Sequence, residues 1–139
     1  MLRYNAPIDD MMFLYEKFNI NADHESLGYL DFYNPRYVKD LLLKSSEFAS
    51  KTLLPLAPIG DEHPSYLENG EVRTPPGFKD AYIKYTKDGW SRLTCNKEHG
   101  GNAAPKTVSG FIDEIWSSSN LSFKLFSDCL LYTSPSPRD

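Results

Sequence analysis

The stretch YLENGEVRTPPGFKDAYIKYTKDGW, residues 66 to 90, sets a hairpin turn, a proline stop and an amphipathic helix end to end. Asn69-Gly70 accepts positive φ at both central positions of a type I′ turn. Tyr66 to Glu68 are therefore expected to fold back on Glu71 to Thr74 as a short β-ribbon. Pro75 and Pro76 lack the N–H that a ladder needs and hold the chain extended, which ends the ribbon. Beyond them Phe78, Ala81, Tyr82 and Tyr85 recur at helical spacing. Asp80, Lys84, Lys87 and Asp88 turn to the opposite side, and Gly89 closes the helix.

Working outward, Asn34-Pro35 supplies an N-cap and a first-turn proline, predicting a helix to about Leu54. Its apolar stripe is Val38, Leu41, Leu42, Ser45, Phe48, Ala49 and Leu53. On the solvated side, Asp40 with Lys44 and Glu47 with Lys51 are expected to pair at i,i+4. Leu43 and Leu54 flank the stripe. Pro55, Pro58, Gly60 and Pro64 are expected to break the pattern before the ribbon. Residues 6 to 18 read as a shorter helix with Ile8, Met11, Met12 and Tyr15 inward, and residues 19 to 33 show no sustained period. From Trp90 to Ala104 the chain reads as irregular, anchored by Trp90 and Leu93, with Gly100-Gly101 a flexible or tightly approached backbone. Pro105 opens a helix with stripe Val108, Phe111, Ile112 and Ile115, and a last helix starts at Leu121 with Asn120 as its cap. The expected fold is mainly α, a bundle of about five helices with one short β-hairpin, held by burial between helices.

At 139 residues the chain is the size of one domain and can bury roughly two thirds of the surface its unfolded form exposes. A hydrophobic share of 40%, a charged share of 24% and 14% aromatic residues are those of a globular chain and argue against extensive disorder. The net charge of −4, without any Lys/Arg cluster, leaves a phosphate backbone little to bind, so a nucleic-acid partner is not expected. No stretch approaches the roughly 18 apolar residues of a membrane span. Asp9 and Asp10 interrupt the apolar run near the start, which argues against a secretory signal. Cys95 and Cys129 are too few for a disulfide framework, and reduced thiols fit a cytoplasmic setting. Without export, the acceptor pattern Asn120-Leu121-Ser122 would not be glycosylated.

Candidate chemistry is sparse. Cys95 and His99 stand at i,i+4, a ligand spacing, but in an irregular stretch with no second pair, so no metal site is expected and the thiol reads as structural. A Cys/His nucleophile would need an orienting carboxylate that the sequence does not place. Asp9-Asp10 and Asp61-Glu62 are neighbours that point apart and read as solvated charge. Glu114 reads as a surface or interface salt bridge, and His24 and His63 lie in loop-like stretches. Gly100-Gly101 lacks the preceding strand and further glycines of a dinucleotide loop. No catalytic set assembles.

The order of the pieces nevertheless resembles FAD-dependent acyl-CoA dehydrogenases, in the branch with an extra leading segment. YNAPIDDMMFL from Tyr4 resembles that segment, and LLLKSSEFASKTLLPLAPIGDEH from Leu41 resembles the first long helix and its following turn. LENGEVRTPPGFKDAY, GWSRLTCNKEHGG and NLSFKLF follow in order, with His99 where the family more often has tyrosine. The resemblance runs over about residues 2 to 128. It implies a helical domain of the family at residues 34 to 128, preceded by an extension at 1 to 33. Residues 129 to 139, ending in LYTSPSPRD, resemble a non-native or disordered tail.

The resemblance further implies α,β-dehydrogenation of an acyl-CoA thioester by a parent protein that uses FAD and an electron-transfer acceptor and forms a homo-oligomer. Catalytic glutamate and flavin contacts fall outside the matching motifs, so neither a catalytic nor a cofactor-binding residue is expected here, and the isolated chain should be inactive. The turn His99, Gly100, Gly101 is the expected part of the acyl-pocket wall. A stand-alone helical interaction domain is the alternative, distinguishable by flavin content and by uncovered apolar surface. A small enzyme built on Cys95 and His99 is a third.

Overall fold

The computed structural model describes residues 3–18, 20–27, 32 and 34–128. The expected tail at 129 to 139 and Cys129 therefore lie outside the described residues. The described elements are mainly α with one short hairpin, as expected.

Helix α1, Ile8–Lys17, buries Ile8, Met11, Met12 and Tyr15, the expected stripe. A seven-residue helix, α2, Ile20–Ser26, follows where no period is visible; INADHES is too short and polar to show one. Helix α3, Pro35–Phe48, starts as predicted: the Asn34 side chain accepts from the Arg36 N–H, and Pro35 occupies the first turn. Its Val38, Leu42, Ser45 and Phe48 face the core.

The break expected at Pro55 comes later. A π-helical turn, Ala49–Leu53, and a 3₁₀ turn, Leu54–Leu56, continue α3 into helix α4, Ala57–Glu62. Pro55 and Pro58 each sit in the first two positions of a new turn, where a missing N–H removes no intrahelical bond, so the helical path survives both.

The ribbon is as read: β1, Tyr66–Glu68, pairs antiparallel with β2, Glu71–Arg73, with Leu67 opposite Val72. The turn has φ of 52° at Asn69 and 81° at Gly70. Helix α5, Phe78–Lys87, buries Phe78 and Ala81, and Gly89 closes it at φ 86°. The stretch to Ala104 is two 3₁₀ turns, Trp90–Arg92 and Lys97–His99, with Leu93 and Ala104 buried.

Helix α6, Lys106–Asp128, joins the two expected C-terminal helices across a bend at Asn120 (φ −158°, ψ 90°). Asn120 is the cap the sequence suggests: Phe123 N donates to its Oδ1 at 2.9 Å. Its other end does something local reasoning cannot see. In the 3₁₀ turn Ala57 N donates to Leu54 O, which leaves Leu53 O without its i+4 donor, and residue 58 is proline. Asn120 Nδ2 donates to that carbonyl at 2.9 Å. The same contact buries the acceptor nitrogen of the glycosylation pattern inside the fold. Around it the faces of α1, α3 and α6 meet over Tyr15, Leu42, Leu53, Ile112, Ile115 and Phe123, all essentially without exposure.

Of the two expected helical ion pairs, Glu47–Lys51 forms at 2.6 Å, while Asp40 and Lys44 do not meet. The Lys51 ammonium, with Lys84 beyond it, holds the Glu47 carboxyl below its ordinary value.

Candidate functional site

A cleft of about 420 Å³ opens between α5, the Trp90–Cys95 stretch and α6. Stripe residues Tyr82 and Tyr85 leave α5 on neighbouring turns and stack at 5.8 Å. Trp116 on α6 meets Tyr85 edge-on at 5.5 Å and Trp90 edge-on at 5.2 Å. Its Nε1 donates to Ser45 O at 3.4 Å, which fixes the ring against α3. Four rings thus form one continuous aromatic wall, a hydrophobic surface with preferred edge-to-face geometry.

Opposite chemistry comes from Lys124, whose side chain is 10% exposed and whose Nζ lies 2.8 Å from Asp113 Oδ1. Eleven residues of straight helix span roughly 16 Å, beyond the reach of these two side chains. The bend at Asn120 brings the ends together, so the ion pair closes the inside of the bend. Lys106, Ser109, Thr94 and Cys95 are also in the lining. The cleft is thus apolar on the side of the four rings and polar on the side of Lys106, Ser109, Asp113 and Lys124.

The sequence-expected turn stands behind this cleft. Gly101 packs on the Cys95 backbone so closely that a Cβ there would lie 2.0 Å from the Cys95 oxygen. Ala103 N donates to the same oxygen at 2.8 Å, and Ala104 N to Leu93 O at 2.9 Å. The backbone at Gly101 is therefore tightly approached, and through it the turn fixes Cys95, which lines the cleft. His99 points away: its ring is about three-quarters exposed, 3.5 Å from the Glu98 carboxylate.

Gly100-Gly101 does not fit a phosphate cradle. Gly100 N donates to Lys97 O and Gly101 N to Asn96 O, so the amides a phosphate would need are engaged.

Other expected residues scatter. Asp9 pairs with Lys39 at 3.3 Å across an exposed surface, and Asp61, Glu62 and His63 are exposed. Among the described residues no three His, Cys, Asp or Glu side chains gather as a metal site. The side chain of His24 lies outside the described set. Glu114, expected in a surface or interface salt bridge, has no ion-pair partner among the described residues; it is exposed, and it adds to the burial that raises the Tyr4 phenol. The ion pair on that helix belongs to its neighbour Asp113. Sequence reasoning placed Tyr82, Tyr85 and Trp90 in the core and missed Trp116, Asp113 and Lys124. The unused signal was an aromatic and a lysine on the far side of Asn120 from each other.

No family model matches the chain. Over 124 residues, 89% of its length, the chain is 34% identical to 3-methylmercaptopropionyl-CoA dehydrogenase of Ruegeria pomeroyi (strain ATCC 700808 / DSM 15171 / DSS-3), and it spans 21% of that protein. The match agrees with the resemblance carried by the five ordered motifs.

Proposed function

We propose that this chain is the helical module of a longer FAD-dependent acyl-CoA dehydrogenase that oxidises the Cα–Cβ bond of an acyl-CoA thioester. The observation that carries this reading is the 34% identity over 124 residues to a dehydrogenase of which the chain spans about a fifth. The flavin, when bound to the whole protein, accepts a hydride from the β-carbon. On this reading the flavin site and the carboxylate base that takes the α-proton belong to the remaining four-fifths of such a protein.

The chain's own contribution is a wall. Tyr82, Tyr85, Trp90 and Trp116 exclude water from the cleft beside which a short acyl group is held, and the turn His99, Gly100, Gly101 keeps Cys95 in its lining. In the whole protein we expect a homo-oligomer in the cytoplasm, serving an electron-transfer acceptor. No helix among the described residues is long and apolar enough to cross a membrane.

Expressed alone, residues 1 to 128 should be colourless and should not reduce an acceptor dye with acyl-CoA esters. Yellow protein that retains FAD through gel filtration would overturn the reading. Sequencing an independent transcript past codon 128 should reveal a continuing frame that encodes a flavin-binding β domain, whereas a stop codon there would favour a stand-alone interaction domain.

A further inference from the structure

The β-ribbon carries a feature that the dehydrogenase reading does not use. In an antiparallel pair closed by a two-residue turn, the residues flanking the turn exchange hydrogen bonds and the next pair does not. Glu68 and Glu71 flank the turn, so Leu67 and Val72 form the open pair. The N–H and C=O of Val72 therefore point away from β1 along the outer edge of β2. Among the described residues the sheet has two strands, and every residue of β2 is exposed. A cavity of about 550 Å³ lined by Val72, Arg73, Tyr82 and Phe126 adjoins β2, and no element among the described residues fills it.

The side chains on that edge have an order. Glu71 and Arg73 share one face of the ribbon and Val72 lies on the other, beside Leu67. Arg73 is held over its own face by Glu68 at 3.1 Å and Glu71 at 3.2 Å, which offsets the repulsion of two glutamates set directly opposite. Leu67 and Val72 are 73% and 70% exposed.

We infer that a second copy of this chain docks here, β2 against β2, antiparallel about a two-fold axis centred on Val72. In that register the two Val72 residues exchange a pair of backbone hydrogen bonds. Glu71 of each copy faces Arg73 of the other, and Leu67 and Val72 of both copies join into one apolar stripe. Acid, apolar, base is a sequence that complements itself only when read antiparallel; parallel pairing would set Glu71 against Glu71. The outer edge of β1 offers no such match, because Tyr66 would face Glu68. The contact is isologous and uses up the β2 edge of both copies, so it stops at a dimer. Its small area implies weak association, with Kd on the order of 10⁻⁵ to 10⁻³ M.

Sedimentation velocity on the chain, from about 10 µM to 1 mM, should show a monomer moving to a dimer. Val72→Pro removes the outward N–H without touching a donor of the ribbon's own ladder, and should weaken association about tenfold or more. Glu71→Arg alone and Arg73→Glu alone should each weaken it similarly, because like charges then face each other at both ends. Mixing those two variants should restore the dimer, since acid again meets base. Far-UV circular dichroism confirms that each variant keeps its helices. A chain that stays monomeric over the whole range overturns the proposal, as does association that Val72→Pro leaves unchanged or that mixing fails to restore.

Discussion

Asn120 serves two bends with one side chain. Its oxygen starts the last turns of α6 and its nitrogen satisfies Leu53 O, a carbonyl stranded where α3 passes into a tighter turn. Asn120→Ala removes both bonds from a buried site and should cost about 2–4 kcal/mol in a urea titration. Asn120→Asp keeps the capping acceptor but sets a carboxylate against a carbonyl it cannot donate to. It should lose comparable stability near neutral pH and recover part of it in acid, where the protonated carboxyl can donate. Equal stability of wild type and both variants would show that the two bonds carry nothing. Elsewhere on α3 the Ser45 hydroxyl is fully buried with no hydrogen-bond partner among the described residues, so the core is not polar-satisfied throughout.

At the scale of elements, two long helical paths make the fold and each has a joint. The path from Pro35 to Glu62 passes a π-helical turn and two prolines; α6 bends at Asn120. The bend sets the buried Lys124 on the half-exposed Asp113, and straightening the two halves of α6 would separate that ion pair. The turn at Gly101 is the third fixed point. Gly101→Ala would drive a methyl into the Cys95 backbone, and since backbone cannot rotate aside, the turn must shift. The expected cost is about 2 kcal/mol or more, with faster labelling of Cys95 by a thiol reagent. Unchanged labelling and an unchanged melting temperature would mean the turn does not hold Cys95.

For the whole molecule, stability is a small difference between large terms, so one buried phenol registers globally. Tyr15 on α1 is fully buried, donates to the Phe32 carbonyl, and has its pKa pushed up from 10.0 to about 12 by burial. The unfolded chain releases this proton from about pH 10, the folded chain only near 12. The stabilisation is therefore complete below pH 10 and is lost as pH rises from 10 to 12. The loss should amount to about 2–3 kcal/mol. Unfolding free energies from urea titrations at about pH 9 and 11.5 should differ by most of that amount, about 2 kcal/mol, and Tyr15→Phe should flatten the difference while lowering stability at both. A wild-type midpoint that does not move over this range would contradict the assignment.

Much of the fold was legible because its causes act within four residues. The turn at Asn69-Gly70 needs only φ preferences, the start of α3 needs only Asn34 and Pro35, and the stripes of α1, α3 and α5 need only a period. The stop placed at Pro55 was misread for a reason of the same kind. A proline ends a helix only where its missing N–H breaks a bond, and the π-helical turn had already changed that pairing. What sequence alone determined was thus the set of elements and their buried faces. Only the tertiary structure decided the bend of α6, the cleft walled by four rings and the pairing of Asp113 with Lys124. Those depend on one carbonyl at Leu53 meeting one amide sixty-seven residues away, and no propensity or period encodes a partner at that distance.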